Sequence, residues 1–249
     1  MSTVTAGVQN KVIYGDCLEV MPTLPDKSID MILCDLPYGT TACKWDIVIP
    51  FEPLWKEYKR LIKDNGAIVL TASQPFTSAL VMSNPDMFRY CWVWQKTKPV
   101  GHLLANKQPM RNHEDILVFG NGALMYNPQG VSDMPSTLRH RTSKGGHYGK
   151  GAGISSMQNR TGYPRTIINF SSQNGELHPT QKPVALFEYL IKTYTNEGEA
   201  VLDNCAGSGT TAIACLNTNR NYILIEKEKE YIDIINKRIS EHELQVTLC

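Results

Sequence analysis

No apolar run in this sequence approaches the roughly 20 residues that a bilayer crossing requires. The N-terminus, MSTVTAGVQN, lacks the charged start and apolar middle of a secretory signal. The expectation is a soluble, unsecreted protein working in the cytoplasm, either of a prokaryotic cell or of a phage-infected host, with no membrane partner. The cysteines (Cys17, Cys34, Cys43, Cys91, Cys205, Cys215 and Cys249) include no Cys-x-x-Cys pair and no histidine at zinc-ligand spacing. An odd set of thiols set mostly inside apolar runs reads as reduced and buried, so neither a disulfide framework nor a metal site is expected. Also missing is any Gly-Lys-Ser/Thr after a glycine turn, which excludes a phosphate-binding P-loop.

What is present is enough material for one large globular unit, or one unit with an insertion: 249 residues, 42% of them hydrophobic. The net charge of +1 conceals an asymmetry. Between Gln95 and Phe170 ten basic residues face only three acids, Glu114, Asp115 and Asp133, so this segment carries +7 and the rest of the chain about −6. A basic middle in an otherwise acidic chain suits either a polyanion surface or a solvated loop.

Apolar stretches of strand length occur at 11–15, 29–34, 66–72, 90–94, 115–120, 200–205 and 221–226. Segments with helical spacing lie between them. Leu54, Tyr58, Leu61 and Ile62 form one stripe, Val184, Phe187, Leu190, Ile191 and Tyr194 a second behind Pro183, and Tyr231, Ile234, Ile235 and Ile239 a third near 228–242. Strands apolar throughout and joined by helices predict an α/β fold, a Rossmann-like, doubly wound, mostly parallel sheet covered on both faces. Residues 121–175 break the pattern, holding nine of the 18 glycines with little periodicity. This stretch is expected to be an inserted recognition region between a catalytic half, 1–120, and a ligand-binding half, 176–249.

Two motifs carry chemistry. In ILCDLPYG, residues 32–39, a buried strand ends on an acid, a proline stiffens the chain and an aromatic follows. In VLDNCAGSGTTAIAC, residues 201–215, a strand leads through Gly207 and Gly209 into a helix, a turn that lets backbone approach a ligand. The three-glycine dinucleotide fingerprint is incomplete, and Glu226 stands 19 residues beyond Gly207, where such folds bind ribose hydroxyls. A nucleoside without a pyrophosphate fits best.

DLPY (35–38), HPTQKP (178–183) and DNCAGSGTT (203–211), in that order, resemble the amino-group DNA methyltransferases whose catalytic motif precedes the cofactor motif. TASQPF and MRNHEDILVFG extend the resemblance over nearly the whole chain. It implies site-specific methyl transfer from S-adenosylmethionine (AdoMet) to an exocyclic amine of a base flipped out of double-stranded DNA. Asp35 and the carbonyl of Leu36 would accept the amine's N–H groups, Pro37 would fix that carbonyl and Tyr38 would stack on the base. The acid in the motif goes with N6 of adenine; N4 of cytosine is the alternative, and an RNA or protein-amide substrate a remoter one. For the cofactor, the resemblance implies Asp16 and Cys17 near the adenine, Thr180 and Lys182 in the closing segment, Asp203, Asn204, Cys205, Gly207, Gly209 and Thr210 around the methionine, and Glu226 at the ribose.

The same resemblance makes the basic middle the DNA-recognition part, with Lys96, Lys98, Lys107, Arg111, Arg139, Arg141, Lys144, Arg160 and Arg165 as candidate contacts to phosphates or guanine edges. Neutralising Arg139, Arg141 and Lys144 together is expected to weaken binding and flatten its salt dependence. Relatives often pair, so a homodimer is compatible with this chain, and its length leaves little room for an attached nuclease, so any restriction partner, as in a restriction-modification system, would be a separate polypeptide; a phage or housekeeping role stays equally open. Leu36 stands where the family has proline, and Asn204-Cys205 where it has Pro-Phe, which removes an apolar contact and predicts modest cofactor affinity. A regulator without catalysis would not need DLPY, and a dinucleotide-dependent oxidoreductase would leave that motif unexplained.

Overall fold

The computed structural model describes residues 10–41, 43, 46–140, 155–172 and 181–247. They fall into two compact units, Met1–Asn127 with Thr166–Cys249, and Pro128–Arg165. In the first unit an eight-stranded sheet is built from β1 (Lys11–Tyr14), β2 (Ile29–Cys34), β3 (Ile62–Ala72), β4 (Phe88–Val100), β5 (Arg111–Phe119), β8 (Ile167–Phe170), β9 (Ala200–Asp203) and β10 (Asn221–Glu226). Their spatial order is β1-β10-β9-β2-β3-β5-β4-β8. The helices are α1 (Cys17–Val20), α2 (Phe51–Leu61), α3 (Phe76–Ser83), α4 (Val184–Tyr194), α5 (Thr210–Asn217) and α6 (Lys229–Thr247).

The continuous apolar strands follow from burial on both faces. Along β2, Ile32 and Cys34 join the core under α1, α2 and α3, while Met31 and Leu33 join the core under α4, α5 and α6. Ile68 and Leu70 of β3 sit with the first set, and Ala67 and Val69 with the second. A period of two thus divides one apolar run between two helical layers. Pro183 is the N-cap of α4, one position before the first turn that its fixed φ suggests.

The sheet is mostly parallel, with one reversal. β5 runs antiparallel to both β3 and β4, because β4 and β5 form a hairpin instead of being separated by a crossover helix. The five-strand part β1-β10-β9-β2-β3 is parallel throughout, so the carboxyl ends of these strands share one edge. Successive strands diverge between β9 and β2, the place where open α/β sheets form a ligand crevice.

The aperiodic stretch 121–175 contains strands after all. β6 (Ser132–His140) and β7 (Ser155–Thr161) pair antiparallel in the second unit, Pro128–Arg165. Their described residues are mostly polar and exposed, which leaves no apolar alternation to detect. Gly162, at φ +78°, belongs to this unit, and an added Cβ there would lie 2.3 Å from the Gly130 carbonyl oxygen. β8 returns to the main sheet beside β4, pairing Val93 with Ile167 and Gln95 with Asn169. Both junctions are tied to the main unit: the Asn127 N–H donates to the Thr193 carbonyl at 2.7 Å, and the Thr166 carbonyl accepts the Val93 N–H at 2.7 Å.

Candidate active site

The crevice is a cavity of about 510 Å³ at the carboxyl ends of β1, β10, β9 and β2. The end of β2 hands the chain to Asp35, whose carboxylate is held from three sides. Its Oδ1 accepts the Tyr38 hydroxyl at 2.8 Å and the Thr71 hydroxyl, and its Oδ2 accepts Lys182 Nζ at 2.6 Å. Leu36 is buried in the core. Among the described residues no backbone N–H hydrogen-bonds the Leu36 carbonyl. The Tyr38 ring is backed by Phe76, with centroids 5.2 Å apart and planes 23° apart. Burial pushes the Tyr38 hydroxyl well above the usual phenol range, helped by the charges of Asp35 and Glu114, so it stays a hydrogen-bond donor.

The stretch after DLPY is held by one acid. Asp46 Oδ1 accepts the N–H of Gly39 at 2.8 Å, and Oδ2 those of Thr40 and Thr41 at 2.9 and 2.7 Å. Burial alone would raise the Asp46 carboxyl, but the Thr41 hydroxyl and these backbone donors outweigh it and hold the carboxyl below its ordinary range.

On the other side of the cavity, Gly207 and Gly209 adopt φ of +51° and +78° between β9 and α5. Glu226, at the end of β10, accepts the Gly207 N–H on Oε2 at 2.7 Å and the Glu228 N–H on Oε1 at 2.9 Å. With the Lys227 N–H also directed at it, the carboxylate still keeps acceptor capacity for a hydroxyl. Burial raises the Glu226 carboxyl, and the backbone donors act against it. Asp16 caps α1 through the Leu18 N–H at 2.8 Å and also lines the cavity. The turn-forming and site-forming readings of Asp16 thus coincide.

Asn204 turns inward, its Oδ1 accepting the Tyr58 hydroxyl at 2.6 Å. Its neighbour Cys205 lines the cavity half-buried. A hydrogen bond with Cys205, together with burial, drives the Cys17 thiol far above its ordinary value, so it is no nucleophile. The six described cysteines are all free.

Asp203 accepts the Cys205 N–H at 3.1 Å and the Thr211 hydroxyl, yet burial still pushes its carboxyl up to about 6. Unfolded, it would titrate at about 4. Between those values the folded chain keeps a proton that the unfolded chain releases. This residue's contribution is therefore fully present below about pH 4 and is lost as pH rises through about 6. The Asp203→Asn variant should show a flatter unfolding free energy across that window in denaturant titrations; a slope equal to the wild type's would contradict the assignment.

Of the expected site residues, Asp35, Leu36, Pro37, Tyr38, Asp16, Cys17, Lys182, Asp203, Asn204, Cys205, Gly207, Thr210 and Glu226 all line this one cavity. Gly209 is not on its wall. Its φ and the side chain of Ile235, 2.9 Å from where a Cβ would sit, explain the glycine instead. Thr180, with His178 and Pro179, lies outside the described residues, as do Arg141 and Lys144. Lys96 faces inward, ion-paired with Glu114 and 5.2 Å from the centre of the Trp94 ring, and it lines the cavity together with Lys98; Lys98, Lys107 and Arg111 are exposed. Arg160 and Arg165 are exposed in the second unit, Arg160 3.4 Å from Asp133. Arg139 pairs with Ser156 in the β6–β7 ladder. Sequence reasoning missed Thr71, Asp46 and Glu114. For Glu114 there was a signal, an acid opening an apolar strand inside the basic segment.

A family model described as DNA methylase, N6_N4_Mtase, matches residues 29–237. The chain is 27% identical over 247 residues to the Type II methyltransferase M.HpaI of Haemophilus parainfluenzae, covering 93% of this chain and 74% of that protein. To the Type II methyltransferase M.HinfI of Haemophilus influenzae it is 28% identical over 265 residues, covering 93% and 68%. Among solved structures, the PvuII DNA methyltransferase (cytosine-N4-specific) superposes with a TM-score of 0.67 at 14% identity, covering 95% of this chain and 92% of that one. The M1.HpyAVI–SAM complex does so with a TM-score of 0.59 at 23% identity, covering 92% and 97%. These structural likenesses show the fold.

Proposed function

The chain belongs to the DNA methylase family matched over residues 29–237, and from that premise we propose that it methylates N6 of adenine at a specific site in duplex DNA. Site-specific methyl transfer from AdoMet to an amino group of DNA is the reaction of this family. The observation that carries the finer reading is the acid of DLPY: Asp35, at the end of β2, faces the same cavity as Glu226 and the Gly207 turn.

The residues present fit AdoMet. The cavity volume suits a ligand of that size. Glu226 keeps acceptor capacity for ribose hydroxyls, Asp16 is placed for the adenine, and the turn from Asp203 to Thr210 borders the methionine part. When bound, AdoMet supplies an electrophilic methyl group on a sulfonium. The protein's part is to make a poor nucleophile adequate. The lone pair of an exocyclic amine is delocalised into the ring, and accepting both N–H groups, one on Asp35 and one on the Leu36 carbonyl, directs that pair toward the methyl group. Tyr38, backed by Phe76, is the platform for the flipped base. In-line positioning supplies much of the rate.

Nucleoside analysis of duplex DNA after reaction with labelled AdoMet tests this reading. N6-methyladenine is the expected product, and N4-methylcytosine would overturn the choice of base. DNA contact is assigned to the exposed Lys98, Lys107 and Arg111 of the β4–β5 hairpin and to the basic residues of the second unit. Neutralising Lys107 and Arg111, neither of which lines the cavity, should lower the slope of log affinity against log salt by about 1 per residue, with AdoMet affinity unchanged. A slope equal to the wild type's would remove these residues from the interface.

A further inference from the structure

We propose that Lys182 is a positioning residue for the catalytic carboxylate, clamping Asp35 so that one acceptor site remains for the target amine. The assignment rests on the function proposed above. It gives Lys182 a task other than holding the cofactor.

The Lys182 side chain is 6% exposed and its Nζ lies 2.6 Å from Asp35 Oδ2 and 3.3 Å from Glu114 Oε2. Glu114 is paired in turn with Lys96. Asp35, Lys182, Glu114 and Lys96 thus form a row of alternating charges from the catalytic carboxylate into the β4–β5 hairpin. Burial works against the Lys182 ammonium, but the two carboxylates outweigh it and hold its pKa above the ordinary lysine value. It is therefore a fixed donor and not a proton acceptor.

Counting lone pairs shows what the clamp does. An ionised carboxylate has about four acceptor sites. Tyr38 and Thr71 occupy both on Oδ1, and Lys182 occupies one on Oδ2. The site left on Oδ2 is the one an incoming N–H can use. The lysine also joins the two halves of the crevice, since its own carbonyl accepts the Thr210 hydroxyl at 3.4 Å, at the first residue of α5. The residue that orients the nucleophile's acceptor is tied by its main chain to the glycine turn.

The test compares wild type, Lys182→Met, Lys182→Arg and Glu114→Gln in single-turnover methyl transfer to duplex DNA, with AdoMet affinity measured by calorimetry. Lys182→Met should slow the chemical step by about 100-fold, the scale of a misplaced reacting group, while AdoMet Kd and the KM for DNA stay near the wild-type values. Lys182→Arg keeps a donor toward Asp35 and should recover most of that loss. Glu114→Gln, which leaves the Asp35 contact intact, should slow the step much less. A Lys182→Met enzyme of normal rate with weakened AdoMet binding would overturn the assignment and return Lys182 to the cofactor. Melting temperatures of Asp35→Asn, Lys182→Met and the double variant provide an arm independent of catalysis. Non-additive shifts are expected, and additive ones would overturn the clamp. A wild-type protein that methylates no duplex would overturn the proposed function, while this cycle still decides the pairing. If Lys182→Met does not fold, Lys182→Arg and Glu114→Gln decide by their rates: a rate as low as that of Asp35→Ala in both would overturn the proposal.

Discussion

Asp35→Ala should lose methyl transfer by about 10³-fold or more while AdoMet binding stays within a few-fold of the wild type. The loss combines a missing acceptor at the reacting centre, an effect of about 10² to 10³ where single preorganised groups are removed, with the release of Tyr38 and Thr71, which both donate to the same oxygen. The substitution also removes one of the two carboxylates facing the buried Lys182 ammonium. Removing one partner of a buried ion pair typically costs 3–5 kcal/mol, roughly. Glu114 remains opposite Lys182, so the lower end of that range is expected here. Asp35→Asn separates the two effects. It keeps the shape and one carbonyl oxygen but loses the charge, and its amide group can donate where the amine needs an acceptor. It should therefore be nearly as inactive as Asp35→Ala and closer to the wild type in melting temperature. Single-turnover assays, calorimetry with AdoMet and thermal melts give the three readings. Substantial activity in Asp35→Ala would move the acceptor role to the Leu36 carbonyl and sink the account.

The second large effect is expected from Gly209→Ala. At φ +78° the backbone is left-handed, which costs an alanine about 1–2 kcal/mol. Its Cβ would lie 2.9 Å from Cγ1 and 3.2 Å from Cγ2 of Ile235, a residue with no exposed surface. Overpacking of this kind costs about 1–3 kcal/mol. Together the loss is about 2–5 kcal/mol, and because Gly209 caps α5 directly after the turn, AdoMet affinity should fall with it. Placing Ile235→Ala in the same chain relieves the crowding but not the dihedral strain. Part of the Gly209→Ala penalty should therefore persist against the Ile235→Ala background. Complete suppression in denaturant titrations would mean that the dihedral contributes nothing.

The parts of the molecule legible in the sequence are those in which neighbours in the chain are neighbours in the site. Asp35 to Tyr38 act across four consecutive residues. Gly207 and Glu226 meet because a strand, a turn, a helix and a strand make one crossover of predictable length. What could not be read depends on contacts between distant segments. Thr71 reaches Asp35 from 36 residues away, Lys182 from 147, and both lie in stretches that resembled the family without revealing a partner. Lys96 reads as one more charge of a basic segment until Glu114 and Trp94 are found around it. The β6–β7 hairpin escaped because its described side chains are mostly polar and exposed, so no apolar period marks it. The reversal at β5 escaped for another reason: the apolar run of a strand buried on both faces does not encode the direction in which it pairs.

The two junctions of the second unit bear on engineering. The chain leaves the main unit at Asn127, whose N–H is fastened to Thr193, and returns at Thr166, whose carbonyl is fastened to Val93. Both fasteners are backbone hydrogen bonds, indifferent to which side chains lie between. The 38 residues from Pro128 to Arg165 are therefore a cassette with two fixed splice points. If that unit reads DNA as proposed, a hairpin of different length or sequence grafted there should change the site recognised, since none of the described residues lining the cavity lies between 128 and 165.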